Sequence, residues 1–177
     1  MGSKTVTVFG SSIPKPGDRE YEDAYFLGKY FGGNNLNVCT GGYQGTMDAV
    51  SRGANEKGAE AVGINLEIYN AVPSQYLTNR LIADSLFERL EKLISFADAY
   101  VILPGGTGTL LELSLVWEYF NKSMMEHKPI AIYGTMWKNL FTDMEERITF
   151  EKRKAGMIKY FEDIKDCAEY IVRELKN

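Results

Sequence analysis

The sequence predicts an α/β domain built on a mainly parallel sheet with helices on both faces. Short apolar runs rich in β-branched residues recur at 5–9, 36–39, 60–64, 100–103 and 129–133, and helical patterns lie between most of them. Strands alternating with helices in this way mean βαβ units, hence parallel neighbours. Glycine-containing turns follow three of the expected strands, at Gly10, Gly41 and Gly105, as an open parallel sheet with a ligand crevice at its strand ends requires.

At 177 residues, the chain is about 1.2 times a typical domain length, so residues 1–177 are read as one domain. Hydrophobic residues at 45% and charged residues at 25% match a soluble globular protein and argue against disorder. No apolar run approaches the ~18 residues that suggest a membrane span, and residues 1–9 are strand-like rather than a leader, so a cytoplasmic protein is expected. A net charge of -4 gives no electrostatic footprint for DNA or RNA. Cys39 and Cys167 lie far apart and are expected as buried thiols, with neither metal spacing nor a disulfide framework. The one histidine, His127, stands next to Lys128-Pro129 at a strand entrance and is expected as a loop residue with no catalytic role.

Taken in order, the first strand, 5–9, leads to a helix over 21–31, stopped by Gly32-Gly33-Asn34-Asn35, residues that tolerate left-handed backbone. The strand at 36–39 leads to a helix at 46–57, and the strand at 60–64 to a long loop over 65–79 that contains Pro73 and ends in a short strand near 80–83. Loops of that length in a compact domain are often functional. A helix at 84–96 puts Leu86, Phe87, Leu90, Leu93 and Ile94 on one face, with Arg89 on its border about 40° from Leu93. From there Arg89 can reach the crevice or lie along the surface. Helices at 107–120, 137–147 and 164–175 complete the pattern. The charged run over 145–154 reads as a solvated helix face and its exit turn.

The three turns carry the candidate site: Gly10-Ser11-Ser12, Gly41-Gly42-Tyr43-Gln44-Gly45-Thr46 and Pro104-Gly105-Gly106-Thr107-Gly108-Thr109. In a parallel sheet the strand ends share one edge, so the turns converge on one crevice. The glycines of the third turn let backbone N–H groups approach an anion while the following helix presents its positive end, and phosphate is the natural occupant. No Gly-Lys-Ser/Thr follows any of the turns, and the third position of a G-x-G-x-x-G after Gly106 and Gly108 is Leu111. ATP hydrolysis and standard dinucleotide binding are therefore disfavoured.

The helix opening at Thr107 carries Leu110, Leu111, Leu113, Leu115, Val116, Trp117, Tyr119 and Phe120, which cover almost its whole circumference. A helix apolar all round is buried all round. Sheet packing covers one side, so a second copy is expected on the other, most simply as a two-fold dimer. Glu112 falls on this wheel at about 200° from Leu110, between Tyr119 and Val116. A carboxylate there needs a partner or a purpose.

The segment P-G-G-T-G-T-L-L-E, ending at Glu112, resembles the P-G-G-x-G-T-x-x-E signature of the Lonely Guy family at every fixed position. V-F-G-S-S ending at Ser12 and G-G-Y-Q-G-T-M ending at Met47 are similar in type and spacing, and the likeness covers roughly 5–133. Members of that family are Rossmann-like, doubly wound homodimers or larger assemblies, often labelled possible lysine decarboxylases. They release base and ribose 5-phosphate from a nucleoside 5′-monophosphate without a metal or other cofactor.

The resemblance implies Glu112 as the catalytic glutamate, Arg89 as the catalytic arginine, Gly105 to Thr109 as the phosphate turn, and an AMP-like substrate. The chain departs from the family at Leu90, where a lysine is usual, and at Leu86-Phe87, where Met-His is usual. A related branch, the molybdenum-cofactor carriers, implies the alternative of binding a phosphorylated nucleotide or pterin without turnover. Decarboxylation of lysine is disfavoured on chemistry, because it needs an electron sink such as pyridoxal phosphate on a Schiff-base lysine, and none of the three turns contains a lysine.

Overall fold

A computed structural model describes residues 3–67 and 71–176. Seven parallel strands form one sheet in the order β4-β3-β2-β1-β5-β6-β7. They are β1 (Thr5–Phe9), β2 (Asn37–Thr40), β3 (Ala61–Leu66), β4 (Asn79–Ala83), β5 (Ala99–Ile102), β6 (Ile130–Tyr133) and β7 (Lys159–Phe161). The α-helices are α1 (Arg19–Gly33), α2 (Thr46–Asn55), α3 (Leu86–Ser95), α4 (Thr107–Asn121), α5 (Lys138–Phe150) and α6 (Ile164–Lys176). The fold is thus the α/β, Rossmann-like, doubly wound one, with every strand pair parallel.

Alternation along the strands builds two cores. Val6 and Val8 of β1 face one way, where they meet Leu27 of α1, Val50 of α2 and Ile171 of α6. Phe9, Tyr100 and Ile102 belong to the opposite face, with Leu93 of α3, Leu113 of α4 and Ile148 of α5. Successive side chains of a strand point to opposite faces, so short runs of apolar residues serve both layers at once. Cys39 and Cys167 are both buried and free, one in each core.

The glycine and asparagine stop after α1 works as its residue types require: Asn34 caps the helix and Asn35 takes φ 60°. A short 3-10 turn, Thr135–Trp137, precedes α5, which runs beyond the expected 147 to Phe150. β7 was not expected. It is three residues long on the sheet edge and only half-buried, too short for a periodic signal. The expected loop over 65–79 includes 68–70, which lie outside the described residues. On either side of them β3 continues to Leu66 and β4 begins at Asn79.

β1 is followed by β2, β3 and β4 to one side, after which β5 returns to pair with β1 on the other. The crevice at such a reversal lies beyond the carboxyl ends of β1 and β5, where the first and third glycine turns stand. α4 buries Leu113, Val116, Trp117 and Phe120 on the sheet, while Leu111 on its outer side stays 42% exposed. The all-round burial expected for α4 is thus half met within one chain. No helix among the described residues is long and apolar enough to cross a membrane.

Candidate functional site

Hydrogen bonds lace the three turns together. Ser11 N donates to Pro104 O at 3.2 Å, and Ser11 O accepts from Thr46 N at 2.9 Å and from Thr46 Oγ1 at 3.0 Å. Gly45 makes this possible: its φ is 73°, and a Cβ there would stand 2.3 Å from Ser11 O. The turns enclose a cavity of about 640 Å³.

Of the residues expected at the site, Gly10, Ser11, Ser12, Gly41, Met47, Gly106, Thr107, Gly108, Thr109, Arg89 and Glu112 line this cavity. Gly42, Gly45, Thr46 and Gly105 are not on its wall, Gly45 instead lining an adjoining cavity, and close packing holds the turns. Gly105, for example, packs so tightly that a Cβ would lie 2.2 Å from Thr109 Oγ1. Ile13, Tyr43 and Ala71 also line the cavity. Tyr43 was visible within the second turn, whereas Ala71 comes from the long loop and carried no signal. His127 is not on the wall; its Nε2 lies 3.1 Å from Met157 O and its ring packs against Phe120.

At the start of α4, Gly106 is the capping position and offers no side-chain oxygen. The first hydrogen bond of the helix runs from Leu110 N to Gly106 O, and the amides before it have no partner within the helix. A Cβ at Gly106 or Gly108 would meet nothing within 4 Å, so packing within the chain does not call for glycine at either position. The arrangement is a helix N-terminus with its amides free and its surface bare, which is what an anion needs.

Arg89 and Glu112 meet on the wall of the cavity. Nη1 of Arg89 lies 3.6 Å from Oε1 of Glu112, and both side chains are about nine-tenths buried. Ser85 caps α3 by accepting from Glu88 N, which sets the helix so that Arg89 points inward. Its Nε donates to Ile64 O at 2.9 Å. The guanidinium passes directly over Gly41, where a Cβ would stand 2.0 Å from Nη2. Of the two courses open to Arg89 in the sequence, the structure shows the one into the crevice. Leu90, next to it, is buried.

Burial raises the Glu112 carboxyl and the positive charge of Arg89 draws it part of the way back, which leaves it at about 7 against an ordinary 4.5. Desolvation dominates because one guanidinium at 3.6 Å replaces only part of the lost hydration. Near neutral pH Glu112 is therefore divided between its two protonation states. Among the described residues, no three of His, Cys, Asp and Glu cluster in a way that would hold a metal ion.

Fold and cavity together define an α/β protein with an anion-receptive helix start beside a buried acid. The chain belongs to the family described as Possible lysine decarboxylase, whose model matches residues 47–172. It is 27% identical over 135 residues to the cytokinin riboside 5′-monophosphate phosphoribohydrolase of Rhodococcoides fascians, covering 73% of this chain and 67% of that protein. A protein of the same name from Mycobacterium tuberculosis is 29% identical over 119 residues, 66% of this chain and 63% of that one. The pyrimidine/purine nucleotide 5′-monophosphate nucleosidase of Escherichia coli K12 is 34% identical over 105 residues, which is 54% of this chain but 23% of that longer protein. The match thus spans about two thirds of the first two relatives and under a quarter of the third. Among solved structures, the molybdenum cofactor binding protein of Rippkaea orientalis superposes with a TM-score of 0.79 at 18% identity, over 100% of this chain and 99% of that one. The molybdenum cofactor carrier protein of Chlamydomonas reinhardtii does so with a TM-score of 0.71 at 17% identity, over 99% of each chain. At these identities the likeness shows a shared fold.

The raised Glu112 value has a consequence for stability. Between 4.5 and about 7 the folded protein keeps a proton that the unfolded chain has released, so this group lowers stability as pH rises through that window. Glu112→Gln removes the effect. In urea unfolding, the variant is expected to gain about 3 kcal/mol on the wild type between about pH 4 and about pH 8. A stability gap independent of pH would show that Glu112 titrates normally.

Proposed function

We propose that the protein hydrolyses the N-glycosidic bond of a nucleoside 5′-monophosphate, with a purine as in AMP, adding water and releasing free base and ribose 5-phosphate. The observation that carries this reading is the buried Glu112, paired with Arg89, in the same cavity as the free amides that open α4. Two relatives named phosphoribohydrolase and one named nucleosidase support it at the level of the family.

The phosphate binds the amides of Thr107, Gly108 and Thr109, where helix dipole and N–H groups favour a dianion. Breaking the glycosidic bond builds positive charge on the ribose. A carboxylate ~4 Å away at an effective dielectric near 20 interacts with that charge by roughly 4 kcal/mol. At ~1.4 kcal/mol per tenfold this is about three orders of magnitude in rate. A group titrating at about 7 is also matched to accept the proton of the attacking water near neutral pH. Arg89 holds the carboxylate in place and keeps part of it ionised. The departing base takes up the proton that the attacking water gives to Glu112, so the atoms balance without a metal, and the reaction is expected to survive a chelator.

A second reading, a carrier that binds a phosphorylated nucleotide or pterin without turnover, is favoured by Leu90. It places a buried aliphatic side chain where the Lonely Guy pattern has a lysine. Decarboxylation finds no support, since no lysine lines the cavity among the described residues.

Incubation with AMP separates the readings. Release of free adenine is expected, rising with pH around a midpoint near 7 as Glu112 ionises, and Glu112→Gln is expected to lower it by about three orders of magnitude. Saturable binding with no adenine released would favour the carrier, and undiminished turnover in the variant would remove Glu112 from the mechanism. Gly108→Ala adds a methyl to the surface of the amide cradle. It should raise stability by about 0.5–1 kcal/mol through helix propensity while weakening binding of ribose 5-phosphate; unchanged affinity would place the phosphate elsewhere.

The outer side of α4, with Leu111 exposed and Leu115 half-buried, is proposed as the face of a two-fold homodimer. Sedimentation at micromolar protein is expected to give twice the chain mass of 20.0 kDa, and a species of single-chain mass would contradict the dimer.

A further inference from the structure

A second cavity, of about 540 Å³, adjoins the first, and the two share Ser12 and Ile13 as wall. Its sides are two straps of chain, 12–16 and 72–76. Each strap exposes a branched aliphatic side chain: Ile13 is 77% exposed and Val72 72%. Both line this cavity, where covering such side chains from water is favourable.

The straps are held rather than loose. Pro14, Pro16 and Pro73 fix their own φ angles, and the second strap is fastened to the glycine turn after β2. Ser74 N donates to Gly42 O at 3.0 Å, and Gln44 Nε2 donates to Val72 O at 3.2 Å and to Pro73 O at 3.1 Å. Beneath them Asp48, buried in the first turn of α2, accepts from Ser74 Oγ and from Tyr21 OH, each at 2.7 Å. A buried carboxylate satisfied by two hydroxyls is a rigid fixture, and here it ties α1, α2 and the strap at one point.

A mononucleotide has three parts; on the reading above the amides opening α4 take its phosphate and Glu112 stands beside its ribose. A base needs apolar contact on its flat faces and polar groups at its edges, and beside Ile13 and Val72 this cavity also presents Lys15, Gln44, Arg52 and Gln75. We infer that the second cavity receives the base, gripped between Ile13 and Val72, and that Asp48 is a positioning residue that holds the 72–76 strap through Ser74. This inference rests on the mononucleotide reading above.

The test is calorimetric titration with two probes, ribose 5-phosphate and formycin 5′-monophosphate, an AMP analogue whose carbon–carbon glycosidic bond does not hydrolyse. The wild type is expected to bind the analogue at least about tenfold more tightly than ribose 5-phosphate. Ile13→Ser and Val72→Ser, both at exposed positions, should each weaken the analogue about fivefold, and Val72→Ser, whose side chain lines the second cavity and not the first, should leave ribose 5-phosphate within about twofold. Ser74→Ala should behave in the same way, and Ser74→Thr, which keeps the hydroxyl, should restore the analogue's affinity. Equal affinity of the wild type for both probes, or unaltered affinity for the analogue in both serine variants, would overturn the base slot while leaving the phosphate site standing. If the wild type binds neither probe, the mononucleotide reading fails and the slot with it.

Discussion

The site depends on one constraint: a carboxylate is kept nearly dry with a single guanidinium for company. Glu112 sits one turn and a half into α4, on the side that faces the sheet, where burial alone would neutralise it. Arg89 prevents full neutralisation, and it reaches Glu112 only because Gly41 has no side chain in its path. A turn after β2, a residue on α3 and a residue on α4 are thereby tied to one distance. Such a pair is costly to the fold and valuable to chemistry near neutral pH, which is the usual balance at sites where a charge is set to act.

The parallel sheet supplies the rest. Because β1 and β5 are neighbours at the point where strand order reverses, the turns that follow them share one edge, and Ser11 can bond to Pro104 and to Thr46 at once. The free amides of α4 then face the same space as the acid. The glycines divide by role. Gly45 and Gly105 are bare because the protein itself leaves no room, while Gly106 and Gly108 border open space.

Much of this was legible in the sequence, for physical reasons. Five of the seven strands and all six α-helices follow from runs and periods long enough to be distinctive, β4 was expected only as the short end of a long loop, and the three turns follow from glycines placed after strands. β7 was not legible, since three half-buried edge residues carry no period. Arg89 stood at the border of its helical face, and helix geometry alone left it two courses. Gly41, which opens one of them, lies 48 residues earlier in the chain, so only the folded chain shows that it clears the way. The Asp48, Ser74 and Tyr21 contacts are likewise long-range. Local pattern says where a carboxylate is, not which hydroxyls will find it.

The most direct test of the central pair is a pH titration of the Glu112 side-chain carboxyl, followed by carbon-13 NMR with the Glu112→Gln protein used for assignment. The account predicts a midpoint of about 7 in the free protein, moving upward when ribose 5-phosphate brings a second negative charge into the cavity. An ordinary carboxylate midpoint near 4.5, or one indifferent to the phosphomonoester, would contradict it.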